Sequence, residues 1–341
     1  MSNYQYIKKI AKFGLENDQD GLLESLNDLI EYSKKSRKVN FAIQLQSIIK
    51  ESLSKGAPKT LFKVGSLGNN SNPNIKESSE LILEKVTSDY RLENLVTSKE
   101  VKTELTHFIE EHKKIEILQR FDLPISNKLI FHGPSGCGKT LASYVIAGEL
   151  NKLLFVVNLG AIVSSKLGDT SKNLAKLFRH ANLEECIIFL DEFDSLGKIR
   201  NYDQDHGEMK RVVNTILQLF DYLPQSSIVI AATNQKEMID QALLRRFDFS
   251  IKLELPNVKQ IKELVDLTSK NSKFTFDNKA QMNRIINSAV GLSYYSIQKT
   301  LITAIKRSLF ALKNPEISIS AKIKTSVWRE LIDKEKHNLK A

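Results

Sequence analysis

Two cysteines are all that the 341 residues contain. Cys137 lies in a glycine-rich loop and Cys186 opens an apolar run. Neither resembles half of a disulfide framework, which suits a reducing cytoplasm, and no Cys/His cluster has zinc spacing. No apolar run approaches the roughly 20 residues that a bilayer span requires, so a membrane protein is not expected. The opening Met-Ser-Asn-Tyr-Gln-Tyr lacks a basic segment followed by an apolar one, so no secretory signal is expected either. There is no HExxH motif and no GxSxG nucleophile signature, which argues against protease chemistry in this sequence. Internal repeats are missing, and low complexity is confined to residues 65–74. A concentrated basic or aromatic-interleaved block is also missing. The formal charge is +10, but the lysines are scattered through helical patterns, which favours a solvated surface over a nucleic-acid site.

What is present is enough apolar sequence for a large core. Apolar residues make up 41% and charged residues 26% of the chain. The length suggests about two or three domains. Residues 1–55 carry helical periodicity over 4–15, 18–32 and 41–53, a small helical module, with Gly56 as a stop. The segment 56–78 is rich in turn formers and reads as a linker, with a helix expected to begin near Glu77. Thr97-Ser98-Lys99-Glu100 resembles a helix start, and the pattern over 101–118 is helical.

From there strands and helices alternate. Strands are expected over 128–132, 153–158, 186–190, 227–232 and 250–255, with helices over 139–150, 171–181 and 206–223 between them. Alternation of this kind implies a parallel sheet with helices on both faces, and ligands then bind beyond the carboxyl ends of the strands. Beyond Pro256 the pattern turns helical, over 258–268, 278–288 and 293–312. A short strand is expected over 316–320 and a last helix over 321–332.

The chemistry-bearing stretch is a strand, a glycine loop and a helix. Gly133, Pro134, Ser135, Gly136, Cys137, Gly138, Lys139 and Thr140 match the phosphate-binding loop. The glycines let backbone N–H groups turn around a polyphosphate at a helix N-terminus. Lys139 is expected to reach the β- and γ-phosphates of ATP, and Thr140 to ligate Mg²⁺. Ile187-Ile-Phe-Leu-Asp191-Glu192 is a buried strand ending in two acids. Asp191 is expected to hold Mg²⁺ through water, and Glu192 to act as general base on the attacking water. Asp194 reads as a helix cap or surface acid. A further strand ends in Thr233-Asn234, where the Asn234 amide can position water or sense the γ-phosphate. Asp240-Gln-Ala-Leu-Leu-Arg245-Arg246-Phe247-Asp248 places two adjacent arginines after a helical turn. They suit either transition-state charge or an ion pair with Asp240 or Asp248.

In this order and spacing the motifs resemble the AAA family of ATPases over about residues 87–312. Residues 133–140 resemble its Walker A motif, 187–192 its Walker B, Thr233-Asn234 its sensor 1, and 240–248 its second region of homology. Gly291-Leu292-Ser293 resembles the start of its lid helix. The resemblance implies an α/β P-loop NTPase, an αβα sandwich on a five-stranded parallel sheet. Its large domain would cover 79–256 and its helical lid 257–341. It implies a homo-oligomeric ring, usually a hexamer, in which Arg245 and Arg246 are arginine fingers for the neighbour's ATP, with the principal one left open. It also implies a pore loop at Lys166, Leu167 and Gly168, although Lys166 stands where the family usually has an aromatic residue. Cys137 replaces a common threonine, adding sensitivity to thiol reagents.

The implied activity is ATP hydrolysis coupled to remodelling a protein client or delivering it to a protease. The sequence looks most like bacterial members, some of them paired with a subtilisin-like serine protease in phage defence. Two alternatives stand beside it: an ATP-controlled assembly or signalling switch, and nucleic-acid remodelling.

Overall fold

The computed structural model describes residues 3–16, 18–35, 39–54, 82–157, 159, 169–184, 186–195, 206–270, 274–312 and 321–339. The expected 56–78 linker, the helix start near Glu77, Lys166, Leu167 and Gly168, and the expected strand at 316–320 lie outside the described residues.

At the N-terminal end, α1 (Asn3–Glu16), α2 (Gln19–Lys35) and α3 (Val39–Ser54) pack on one another. Leu29, Ile30 and Ala42 are buried between them. The apolar residue at every third or fourth position forces this pairing, because one helix alone cannot cover its own stripe. Helix α3 also meets the large unit. Gln44 Nε2 donates to Thr87 Oγ1 at 2.9 Å, and the Asn40 amide donates to Asp89. Ile43 packs on the core beneath.

The main sheet contains β1 (Ile82–Val86), β2 (Lys128–His132), β3 (Leu154–Val157), β4 (Ile187–Leu190), β5 (Ile228–Thr233) and β6 (Phe249–Lys252). Its order is β1-β3-β4-β5-β2-β6. Strands β3, β4, β5, β2 and β6 run parallel, as expected. Strand β1 pairs antiparallel with β3 and was not foreseen. Its sequence, Ile-Leu-Glu-Lys-Val, is short and half polar, and only its partner on the sheet edge makes it a strand.

The central strands are apolar on both faces because both are covered. On one face Ile130, Phe155, Ile188, Val229 and Ala231 pack under α7 (Asp169–Glu184) and α8 (His206–Asp221). On the other, Leu129, Phe131, Leu154, Phe189 and Ile230 pack under α4 (Lys99–Lys113) and α6 (Lys139–Leu150). Ser98 caps α4, accepting from Val101 N at 3.2 Å. The helix expected over 101–118 is broken. Helix α4 ends at Lys114, whose φ and ψ are −119° and 29°, and α5 (Ile115–Arg120) follows.

The C-terminal part has α9 (Gln241–Leu244) before β6, then α10 (Val258–Lys270), α11 (Lys279–Ser288) and α12 (Tyr294–Phe310). Two short parallel strands, β7 (Phe274–Phe276) and β8 (Ala321–Ile323), join remote segments. Residues 321–323 were expected to open the last helix. They pair with β7 instead, and α13 (Thr325–Asn338) starts after them. A separate core forms around fully buried Trp328, with Ile261, Leu301 and Ile332. No helix among the described residues is long and apolar enough to cross a membrane.

One partly buried titrating group ties the α4 end to Ser126, just ahead of β2. His112 Nε2 meets the Ser126 carbonyl at 2.8 Å, and its ring lies 4.8 Å from that of Phe108. Burial lowers its pKa from 6.5 to about 4, against the opposing pull of the Ser126 carbonyl. The folded state therefore favours the neutral ring, and the unfolded chain takes up the proton first. Stability should fall as pH drops from 6.5 towards 4. In urea titrations at pH 7 and pH 4.5, His112→Gln should show a smaller difference between the two than the parent chain. An unchanged difference contradicts this role.

Candidate functional site

The loop between β2 and α6 is shaped by two close approaches. A Cβ at Gly133 (φ 138°) would stand 2.0 Å from the Leu253 carbonyl oxygen. One at Gly136 (φ 74°) would stand 2.6 Å from Ser293 Oγ. Only glycine fits either place. The loop delivers Gly138 to the N-cap of α6, where no side chain caps the helix. The first N–H groups of a 12-residue helix are thus turned to a cleft of about 500 Å³. Such an end favours anions.

Lys139 opens α6 and is only 8% exposed. Its Nζ donates to the Gly133 carbonyl at 2.8 Å, the Pro134 carbonyl at 2.9 Å and Asn234 Oδ1 at 2.6 Å. Burial lowers its pKa, with Cys137, Asp191 and Asp194 pulling the other way. Thr140 Oγ1 lies 3.3 Å from Asp191 Oδ2, and Asp191 Oδ1 accepts from Glu192 N at 2.9 Å. Glu192 is exposed on the cleft with φ 50°, a left-handed backbone costing about 1–3 kcal/mol in a non-glycine residue. Strain at that position fixes where the carboxylate leaves the strand.

The structure therefore brings Ser135, Gly136, Cys137, Gly138, Lys139, Thr140, Asp191, Glu192 and Asn234 to one cleft. Arg245 and Arg246 do not line it. Arg245 is exposed. Arg246 forms a bidentate pair with Asp221, at 2.8 and 3.2 Å. The two carboxylates expected to compete for these arginines are engaged elsewhere. Asp240 caps α9 through Ala242 N at 2.7 Å, and Asp248 accepts from the backbone N of Asn127 and of Lys128, each at 2.9 Å.

Asp194 is a correction. It was expected as a cap or surface acid, but it is 1% exposed. Thr233 donates its hydroxyl to Asp194 Oδ1 at 2.9 Å and accepts from Gln235 N at 3.0 Å. The pair connects the turn after β4 to the end of β5, beside Asn234. Cys137 is also buried, and burial raises its thiol pKa. The reactive thiolate is therefore disfavoured.

Of the rest of the cleft the sequence marked only the start of α12, through Gly291-Leu292-Ser293. Asn94, Leu95 and Val96 line this part together with Leu264, Leu267, Tyr294, Tyr295 and Gln298 of α10 and α12. Tyr295 N donates to the Gly136 carbonyl at 3.1 Å, so the start of α12 touches the glycine loop. Tyr294 is half-buried, and burial raises its hydroxyl pKa. Only the i, i+4 spacing of Tyr294 and Gln298 hinted that they share a face.

Comparison with known proteins agrees with this arrangement. A family model described as the ATPase family associated with various cellular activities (AAA) matches residues 129–255. The chain is 30% identical over 312 residues to an uncharacterised AAA family ATPase, y4kL, of Sinorhizobium fredii, spanning 90% of this chain and 89% of that protein. It is 32% identical over 185 residues to a putative 26S proteasome regulatory subunit homologue of Methanocaldococcus jannaschii, covering 53% of this chain and 49% of the relative. It is 33% identical over 207 residues to an ATP-dependent zinc metalloprotease FtsH 3 of Phytoplasma mali, covering 59% of this chain and 35% of the relative. The chain thus spans about half or less of those last two relatives.

Thr233→Val removes both hydrogen bonds at the Asp194 junction while keeping the side-chain shape. It should cost about 1–3 kcal/mol in urea unfolding. A variant as stable as the parent would show that the junction carries no weight.

Proposed function

The chain belongs to the AAA family of ATPases, and from that premise we propose that it hydrolyses ATP within an oligomeric ring. The observation that carries the reading is the buried Lys139 ammonium, held between two loop carbonyls and Asn234, with Thr140, Asp191 and Glu192 on the same cleft. Backbone N–H groups of Gly136–Thr140 and the Lys139 ammonium bind the phosphates of ATP. Burial strengthens that contact by keeping water from it. Thr140 and Asp191, whose oxygens lie 3.3 Å apart, are the pair that would hold Mg²⁺, Thr140 through its hydroxyl and Asp191 through water. Mg²⁺, when bound, supplies charge neutralisation on the phosphates. Glu192 takes the proton of the attacking water, and Asn234 orients that water. The apolar wall of Leu95, Val96, Leu264 and Leu267 receives the base.

The exposed Arg245 and its neighbour Arg246 lie away from the chain's own cleft. One or both act on the γ-phosphate of an adjacent copy, so the catalytic unit is an interface within a homo-oligomer, a hexamer by family analogy. We assign residues 1–55 to a partner-selecting helical module, 56–78 to a linker, 79–256 to the ATPase domain and 257–341 to its lid.

The work of the cycle is remodelling a protein client or delivering it to a separate protease. Support comes from relatives whose names refer to proteolysis, a putative 26S proteasome regulatory subunit homologue and an ATP-dependent zinc metalloprotease. This sequence has no HExxH of its own. A subtilisin-like serine protease in bacterial phage defence is the partner the resemblance suggests, in the cytoplasm, with Lys166, Leu167 and Gly168 gripping the client. Lys166, in place of an aromatic residue, is the observation that favours a second reading, an ATP-controlled assembly switch.

Lys139→Ala should lose binding of a fluorescent ATP analogue, whereas Glu192→Gln should bind it and turn over at least a hundredfold slower, on the scale of general-base losses of about 10²–10⁴. Normal turnover by Glu192→Gln rejects the base assignment. Unfolded protein should raise the ATPase rate of the parent. Stimulation by single-stranded DNA alone would favour nucleic-acid remodelling, and stimulation by neither would favour the switch.

A further inference from the structure

We propose that Arg245 is the arginine this chain presents to a neighbouring copy, and that Arg246, Asp221, Phe247 and Phe193 are positioning residues tying it to the chain's own Glu192 turn. The proposal rests on the ring reading above and deepens it.

The adjacent arginines have different surroundings. Arg246 spends Nε and a terminal nitrogen on both oxygens of Asp221. A bidentate pair fixes the guanidinium plane and uses the donors that a phosphate would need. The side chains are 44% and 49% exposed, so the pair adds little to folding stability and acts mainly on orientation. Arg245 is exposed, and no ion pair holds it among the described residues.

Phe247 carries the connection inward. Its ring meets that of Phe193 edge-on, with centroids 5.8 Å apart and planes at 88°. It meets Phe220 at 5.4 Å and 80°. Phe193 follows Glu192 directly, is fully buried, and donates its N–H to the Ala232 carbonyl at 2.8 Å. Phe220 precedes Asp221. Residues 246 and 247 are thus fixed to the end of α8 by an ion pair and a ring contact, and to the Glu192 turn by another ring contact. Edge-to-face rings in a close-packed core do not slide freely, so a shift of that turn is passed to Arg245. The arginine offered to one site then follows the state of another.

The test mixes two variants. Glu192→Gln offers arginines but has an idle site, and the Arg245→Ala/Arg246→Ala chain has an intact Glu192 but offers none. Turnover arises where the first chain serves the second. Phe193→Leu added to the Glu192→Gln chain should lower kcat of the mixture about two- to tenfold, the scale of one aromatic pair, with KM for ATP unchanged. Phe155→Leu, in the same core but on β3, should leave kcat unchanged at a comparable loss of Tm. Arg245→Ala in the Glu192→Gln chain should abolish turnover, while Asp221→Asn and Arg246→Ala should each reduce it only in part. If Arg246→Ala abolishes turnover and Asp221→Asn is silent, the arginine assignment is reversed.

A second arm needs no nucleotide. In hydrogen exchange, amides of residues 245–248 should exchange faster in Phe193→Leu than in Phe155→Leu. Equal exchange overturns the tether. If the unmodified mixture shows no turnover, the ring reading has failed, and the exchange arm alone decides the tether.

Discussion

A lysine ammonium almost removed from water must be surrounded by acceptors, and the Lys139 ammonium shows how the chain meets that demand. Its three acceptors come from the glycine loop and from the residue after β5. Two of them exist only because Gly133 and Gly136 let the backbone turn where a Cβ would strike Leu253 or Ser293. The third depends on strand order. Strand β2 pairs with β5 rather than with its sequence neighbour β3, which sets Asn234 beside the loop. Strand β4 lies on the other side of β5, which brings Asp191 and Glu192 within reach. The site is therefore a consequence of topology at the carboxyl ends of parallel strands, where helices begin and backbone donors face outward.

The same topology distributes roles between the chain's own cleft and its outer surface. Strand β4 ends in the turn that holds Glu192, and the next residue, Phe193, points into the core. The arginine segment between α9 and β6 sends Phe247 into that core from the other side. One packed cluster thus underlies both Glu192 and the arginine pair, although only Glu192 faces the cleft. The start of α12 reaches the glycine loop through the Tyr295 N–H, which donates to the Gly136 carbonyl, and through Ser293, which stands where a Cβ on Gly136 would strike it.

The parts legible in the sequence were those whose cause is local. Fully apolar runs such as Ile187–Leu190 and Ile228–Thr233 can be satisfied only by a covered sheet, and glycine spacing marks the loop between β2 and α6. What stayed hidden depends on distant partners. Strand β1 is half polar and becomes a strand through β3. Residues 321–323 continue a helical pattern but are held by β7. Asp194 reads as a surface acid until Thr233, 39 residues later, donates to it in the interior. Arg246 has nearby acids in Asp240 and Asp248, yet its partner is Asp221, which the fold brings from 25 residues away. In the apolar part of the cleft only the start of α12 was marked, by Gly291-Leu292-Ser293, because Leu264 and Leu267 read as ordinary helix-face positions.

The central claim is that a triphosphate cleft built on Lys139 is completed by a second copy of the same chain. Turnover per chain, measured across a wide dilution series with light scattering on the same samples, tests it most directly. The account predicts that the rate per chain falls on dilution in step with loss of the assembled ring. A rate per chain that stays constant while the particles become single copies would contradict it.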